Sequence, residues 1–116
     1  MNLKECYQAL GGDYESVLGR LRTEKMITKF VLKFLDDKSC ENLIAAVAAK
    51  NGEEAFRAAH TIKGVCQNLS FDRLYRSSSE LSECLRGGWD DAAVALTEQL
   101  KADYQITADA IRALDA

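Results

Sequence analysis

The sequence contains no proline, and only seven glycines occur among its 116 residues. Proline is the residue that most often interrupts a helix, so long helices can run through this chain. Aromatic residues are also few, at 8% of the chain, whereas 47% of the residues are hydrophobic. This composition indicates an all-α protein with one core in a single domain, 1–116.

No block of basic residues occurs, because 15 basic and 18 acidic residues are scattered along the chain and give a net charge of −3. Nucleic acid is therefore not expected as a partner, since nothing would follow a phosphate backbone. No stretch approaches 18 apolar residues, and the N-terminus does not resemble a targeting segment. We expect a cytoplasmic monomer that does not enter a membrane.

The four cysteines form no CxxC pair, and the chain has only one histidine, His60. These residues supply too few clustered ligands for a zinc site. Cys66 follows His60 by six residues and would lie on the other side of a helix, so no local Cys–His dyad is expected. We predict reduced, mostly packed thiols and no metal site.

Apolar residues recur at helical spacing along nearly the whole chain. Two short N-terminal helices are predicted within about 2–22, because Gly11-Gly12 suits a helix end and Asp13 can cap the next helix. Longer helices are predicted at about 24–50, 52–69, 71–86 and 90–115. The first of these is read as two helices or one kinked helix, since Asp36-Asp37-Lys38-Ser39 interrupts its apolar stripe.

Short connections between long amphipathic helices place neighbouring helices antiparallel. The predicted architecture is an antiparallel up-and-down four-helix bundle over about 24–115, with the N-terminal helices packed against one side. Asn51 and Glu54 resemble a capping box, which would open the helix that carries His60.

His60 lies in the stretch AHTIKGVCQNLS, residues 59–70. With successive residues about 100° apart, the apolar side chains of this helix gather on one face: Ala55, Ala58, Ala59, Ile62, Val65, Cys66 and Leu69. A second stripe lies roughly opposite and consists of His60, Lys63, Gly64 and Gln67. We therefore expect the imidazole to be exposed to solvent.

A nitrogen of an exposed imidazole carries a lone pair that can attack phosphorus. Lys63, one turn further, offers a mobile cation to a transferred phosphoryl group. Glycine inside a helix lowers helix stability by about 1 kcal/mol relative to alanine, so its presence at position 64 needs a reason. Without a Cβ at Gly64, a reactant could approach the helix beside the imidazole ring. Phe56, one turn before His60, could be an apolar anchor for a partner. Periodicity alone leaves open whether His60 is a working side chain or a solvated one.

The residues AHTIKG resemble the H-x-x-K-G signature of the histidine-containing phosphotransfer (HPt) domain. The similarity covers nearly the whole chain, since it extends to LGGD, FLDD, AAKNGEEAFRAAH, QNLS and SSSELSECLRGG. It implies that His60 accepts a phosphoryl group from an aspartyl phosphate on a receiver domain and passes it to an aspartate on another. Lys63 and Gly64 would be supporting residues of this carrier, which would be neither kinase nor phosphatase.

The resemblance also implies partners in a multistep two-component phosphorelay, namely response-regulator receiver domains, a hybrid sensor histidine kinase, or both. No cofactor is expected on this chain, because it has no glycine-rich phosphate loop and no acidic cluster for magnesium, so Mg²⁺ would lie on the partner receiver. Arg57 and Lys63 would complement the partner's acidic pocket. Gln67, on the same stripe, is expected at this contact.

Three features depart from the family pattern. Ser70 stands where the family commonly has glycine. Ser82 is a candidate for a contact near the His60 ring, where family members often place a larger polar side chain. The segment SVLGRLRTEK, residues 16–25, reads as an insertion whose arginines either shape partner choice or, as we favour, solvate a surface helix.

A second hypothesis is a binding module that docks a kinase or receiver and modulates it without carrying phosphate. Loss of His60, Lys63 or Gly64 would have favoured this hypothesis, but all three residues are present. The phosphocarrier is therefore the preferred interpretation of the sequence.

Overall fold

A computed structural model describes residues 1–115, which contain seven helices and no strand. In chain order, α1 to α7 span Leu3–Leu10, Tyr14–Leu21, Glu24–Phe34, Ser39–Ala48, Gly52–Leu69, Asp72–Leu85 and Ala93–Arg112. The all-α class predicted from the sequence is confirmed. None of the helices within residues 1–115 is long and apolar enough to cross a membrane.

The four C-terminal helices contact one another in a ring, because α5 packs on α4 and α6, and α7 packs on α6 and α4. Outside this ring, α1 packs on α7, α2 on α3, and α3 on α5. One hydrophobic core connects these layers, and its largest fully buried side chains include Tyr7, Phe71, Leu43, Leu74, Leu81 and Leu100. The helix that carries His60 is therefore supported by neighbours on several sides.

The structure decides between the two interpretations of the segment 24–50 and shortens the last predicted helix. The segment 24–50 contains two helices, as one of the two interpretations held, because the chain turns after Phe34 and the Asp37 carboxylate accepts a hydrogen bond from the Ser39 amide at 2.7 Å. The last helix begins at Ala93 instead of 90, because the Asp90 carboxylate accepts from the Ala92 amide at 2.8 Å in a turn.

The N-terminal helices are fastened to the C-terminal end of α5. The buried Tyr7 hydroxyl donates a hydrogen bond to the Leu69 carbonyl oxygen at 2.7 Å. The Asp13 amide donates to the Ser70 carbonyl oxygen at 2.9 Å. A Cβ at Gly12 would lie 2.7 Å from that same oxygen, so the close approach of the two segments requires glycine there.

Arg20 gives the segment 16–25 a structural role that the sequence did not indicate. Its guanidinium donates hydrogen bonds to the Asn68 carbonyl oxygen at 2.6 Å, to Ser70 Oγ at 3.1 Å and to Ser16 Oγ at 3.3 Å. Ser70 has a φ of 57°, the left-handed conformation that ends α5. The arginine thus places a cation where the helix has unpaired carbonyls and the negative end of its dipole. Arg20 is exposed on a surface helix, as the preferred interpretation of these arginines held, but it also binds the end of α5, which the sequence did not indicate.

We expect Arg20→Ala to lower the free energy of unfolding by about 1 kcal/mol, because it removes a charge-assisted hydrogen bond at a partly solvated site. Urea denaturation of the two proteins measures this difference. Arg76→Ala is a matched control, since Arg76 is an exposed helical arginine with no hydrogen bond or ion pair recorded within residues 1–115. Equal effects of the two substitutions would contradict the role assigned to Arg20.

Candidate functional site

The helix α5 forms as the sequence predicts, from Gly52 to Leu69. Asn51 caps it, because its side-chain oxygen accepts a hydrogen bond from the Glu54 amide at 3.1 Å. The apolar face lies in the core as expected, with Ala55, Ala58, Ala59, Ile62, Cys66 and Leu69 buried. Val65 is the exception, since it is only partly buried at the edge of the face, near Phe30 and Phe34 of α3.

The polar stripe of α5 lies opposite this buried face. His60, Gly64 and Gln67 are exposed, and Lys63 is partly buried. The prediction that the imidazole faces solvent is confirmed. A Cβ added at Gly64 would meet no heavy atom of residues 1–115 within 4 Å, which means that the space over this part of the helix is open. A reactant can therefore approach beside the ring.

Phe56 lies against the histidine. The ring centroids of Phe56 and His60 are 5.7 Å apart, and the two ring planes are inclined by only 22°, so the rings are stacked. Phe56 is itself partly buried against the hydrophobic core. The sequence placed Phe56 one turn before His60 and assigned it to a partner contact, but the structure shows a contact within the chain.

Arg86, at the end of α6, covers Phe56 and was not singled out from the sequence. Its Cζ atom lies 5.6 Å from the centroid of the Phe56 ring, a cation–π contact between two helices. Glu83 holds the guanidinium through hydrogen bonds of 2.6 and 3.3 Å. The sequence did contain information on this contact, because two antiparallel helices joined at residues 70–71 bring position 86 opposite position 56.

The charges beside the stripe influence one another. The Arg86 guanidinium, chiefly through its hydrogen bond, lowers the pKa of the Glu83 carboxyl, and Lys63 also contributes to this lowering. Glu83 in turn raises the pKa of Arg86. Lys63 of α5 and the Glu83–Arg86 pair of α6 therefore belong to one electrostatic neighbourhood next to His60.

The other two residues predicted at a partner contact differ in their surroundings. Arg57 is exposed, but its guanidinium lies 2.9 Å from a Glu54 carboxylate oxygen and 3.5 Å from one of Glu53, so its own helix offsets part of its charge. Ser82 is fully buried, and its Oγ has no hydrogen-bond partner within residues 1–115. Burial places Ser82 on the inner face of α6, which contradicts its candidacy for a contact near the exposed His60 ring.

All four cysteines are free, and three of them, Cys6, Cys40 and Cys66, are buried. Burial raises the pKa of the Cys66 thiol well above its ordinary value, so this group stays protonated. Within the part of the chain that the structure describes, no group of three or more histidine, cysteine, aspartate or glutamate residues could hold a metal ion. The α5 stripe itself presents the imidazole of His60 and the ammonium group of Lys63.

Comparison with known protein families gives a match over most of the helical bundle. The family model of the Hpt domain matches residues 35–114, which is more than half of the chain and includes α4 to α7. No curated protein and no solved structure matches the chain. Hpt domains carry phosphoryl groups on histidine in two-component phosphorelays, with receiver domains and kinases as their general partners, and are not themselves kinases or phosphatases. Because the match spans the helix on which the only histidine is exposed, the chain belongs to the Hpt domain family.

Proposed function

We propose that this protein is a phosphocarrier in a multistep two-component phosphorelay and that His60 is its phosphoacceptor. The observation that carries the proposal is the exposed imidazole in the middle of α5, within the family match and beside the open space over Gly64. The phosphoryl donor and the phosphoryl acceptor would be receiver domains of response regulators or of a hybrid sensor histidine kinase. The carrier would act as a cytoplasmic monomer, which leaves the stripe free for one partner at a time.

The transfer uses the lone pair of one imidazole nitrogen, which attacks the phosphorus of an aspartyl phosphate on a receiver. A P–N bond forms as the P–O bond to the aspartyl group breaks, and the carboxylate leaves with the electron pair. The other ring nitrogen can return its proton to solvent. In the second step a carboxylate of another receiver attacks the phosphorus, and the P–N bond breaks. Mg²⁺ on the partner receiver supplies charge neutralisation for both steps.

The residues around His60 would bind the phosphoryl group and contact the receiver domain. Lys63 is one turn further along α5 and would meet the phosphoryl oxygens with a mobile cation. Arg57 and Gln67 are exposed and would contact the receiver. We expect Arg57 to contribute less than its charge alone implies, because Glu53 and Glu54 already neutralise part of it.

We further propose that the ring formed by α4 to α7 is an antiparallel up-and-down four-helix bundle and that residues 1–116 act as one domain. The short connections between successive helices and the ring of helix contacts support this arrangement. The hydrogen bonds from Tyr7 and Asp13 to the end of α5 support a single unit.

The direct test is to incubate the protein with a phosphorylated receiver domain and to follow the label. A carrier acquires label that is stable to base and labile to acid, as expected of a P–N bond.

The alternative is a docking module that binds a kinase or receiver without carrying phosphate. Stable binding to receivers with no label from any of them would favour this alternative.

We expect Gly64→Ala to raise the free energy of unfolding by about 1 kcal/mol, because alanine is the better helix former and its Cβ meets nothing. The same methyl group would occupy part of the open space one helical turn from His60, so transfer from a phosphorylated receiver should become slower. Denaturation and transfer kinetics on the same protein preparation measure both effects. An unchanged transfer rate would show that open space at Gly64 is not needed by the partner.

A further inference from the structure

We propose that Phe56 is a positioning residue for the His60 imidazole and that Arg86 keeps Phe56 in place from the neighbouring helix. This inference rests on the proposed function of His60 and adds a chain of contacts through which α6 controls the reactivity of α5. The chain runs from Glu83 through Arg86 and Phe56 to His60.

The exposed His60 side chain has rotational freedom unless a neighbour restricts it. A histidine on a helix surface can occupy more than one staggered χ1 rotamer unless a neighbour favours one. Productive attack needs the ring nitrogen in line with phosphorus, so only a fraction of an unrestrained population would be reactive. The near-parallel stack on Phe56, with 22° between the planes and 5.7 Å between centroids, favours one orientation of the imidazole.

Phe56 is itself restrained by its neighbours. Its ring is partly buried against the core and lies under the Arg86 guanidinium, whose Cζ atom is 5.6 Å from the ring centroid. Glu83 fixes the guanidinium from the same turn of α6, with a hydrogen bond of 2.6 Å. Phe56 is thus held between its own helix, the core and a cation from α6. A ring restrained in this way is a firm surface for the imidazole.

The contacts favour positioning over the partner anchor expected from the sequence, because an anchor would leave its ring free for a partner. The two roles differ in an observable way. A positioning residue affects reaction with every phosphoryl donor, whereas an anchor affects only donors that dock. Phosphoramidate is a small donor without a docking surface, and it phosphorylates imidazole as its own P–N bond breaks and its nitrogen leaves as ammonia after taking up a proton.

The experiment compares phosphorylation of the wild type and Phe56→Leu by phosphoramidate and by a phosphorylated receiver. We expect Phe56→Leu to slow both reactions by a similar factor of about two to ten, the fold-change equivalent to the energy of one aromatic pair. The ring-current shift of the His60 protons in NMR spectra should disappear with the phenyl ring. Equal phosphoramidate rates for wild type and variant would overturn the proposal, and slowing with the receiver alone would establish an anchor instead.

Arg86 is tested in the same assay with two substitutions. Arg86→Gln removes the cation over Phe56 and should slow phosphoramidate labelling by about two- to fivefold, in line with an exposed cation–π contact. Arg86→Lys keeps a cation and should recover most of the rate. Arg112→Gln is the matched control, because Arg112 is also an exposed arginine at a helix end and is paired with an acidic residue three positions away, Asp109. Loss of rate in the control as well would contradict a specific role of Arg86.

The design separates this inference from the proposed function. Labelling of wild type by phosphoramidate but by no receiver would refute the carrier, while the comparison of Phe56 and Arg86 variants would still decide their positioning role. Labelling of the wild type by receivers with no effect of the Phe56 and Arg86 variants would refute positioning and leave the carrier intact. Unfolding measurements on each variant show whether a rate change reflects loss of the fold.

Discussion

His60→Gln is expected to carry no acid-labile label after incubation with any phosphorylated receiver. Glutamine preserves a polar side chain of similar reach, but its amide nitrogen has no lone pair available to attack phosphorus. The imidazole is exposed but stacks on Phe56, so the substitution should lower the free energy of unfolding by no more than about 1.5 kcal/mol, the upper value for one aromatic pair. The experiment therefore removes the nucleophile and keeps the fold.

The composition of the chain makes this result easy to interpret. His60 is the only histidine, so no second imidazole can take up the phosphoryl group in the variant. A cooperative denaturation curve with a midpoint close to that of the wild type is the control for folding. Acid-labile label on His60→Gln would place the phosphorylation on another residue and refute the assignment. A variant that still binds receivers but remains unlabelled would separate docking from transfer.

Tyr7→Ala is expected to lower the free energy of unfolding by about 3–5 kcal/mol, the range for removing a large buried aromatic side chain. Tyr7 is fully buried, and its ring contacts those of Phe71 and Tyr14 at centroid distances of 5.6 and 6.2 Å. Its hydroxyl remains a donor to the Leu69 carbonyl oxygen, since burial raises the pKa of Tyr7 well above its ordinary value. Chemical denaturation followed by circular dichroism measures the loss.

Tyr7→Phe is the matched variant, because it removes the hydroxyl and keeps the ring. We expect it to cost about 1–3 kcal/mol, since the buried carbonyl of Leu69 loses its donor. The comparison matters because Tyr7 lies in α1, outside the residues that match the family model. Unchanged stability in Tyr7→Ala would show that α1 is an independent attachment to the family domain.

The parts of the site that depend on one helix could be predicted from the sequence. The bounds of α5, its buried face and the exposure of His60 follow from a 3.6-residue period and a capping residue, which are local properties. Val65 deviates because the edge of a buried face depends on which helix covers it. The open space at Gly64 was inferred from the cost of glycine and agrees with the structure.

The parts that depend on two helices were not predicted. The Arg86 contact with Phe56 and the hydrogen bond of Arg20 to Asn68 join residues 30 and 48 positions apart. The periodicity of a single helix does not identify such pairs, and only the antiparallel connection at 70–71 indicated that position 86 lies opposite position 56. Ser82 was correctly placed on the helix next to α5, but its rotation about the helix axis turned it into the core. The start of α7 at Ala93 depended on a turn made by Asp90, whose short-range hydrogen bond competes with the helix.

The left-handed serine at the end of α5 has a consequence for how this sequence can change. Serine is less favourable than glycine at this backbone conformation, but its Oγ meets Arg20 and Ser16, which glycine cannot do. The effect of replacing Ser70 by glycine therefore depends on whether Arg20 is present. Epistasis of this kind makes the order of substitutions matter, because a chain that has acquired Arg20 gains less from glycine at position 70 than a chain without it.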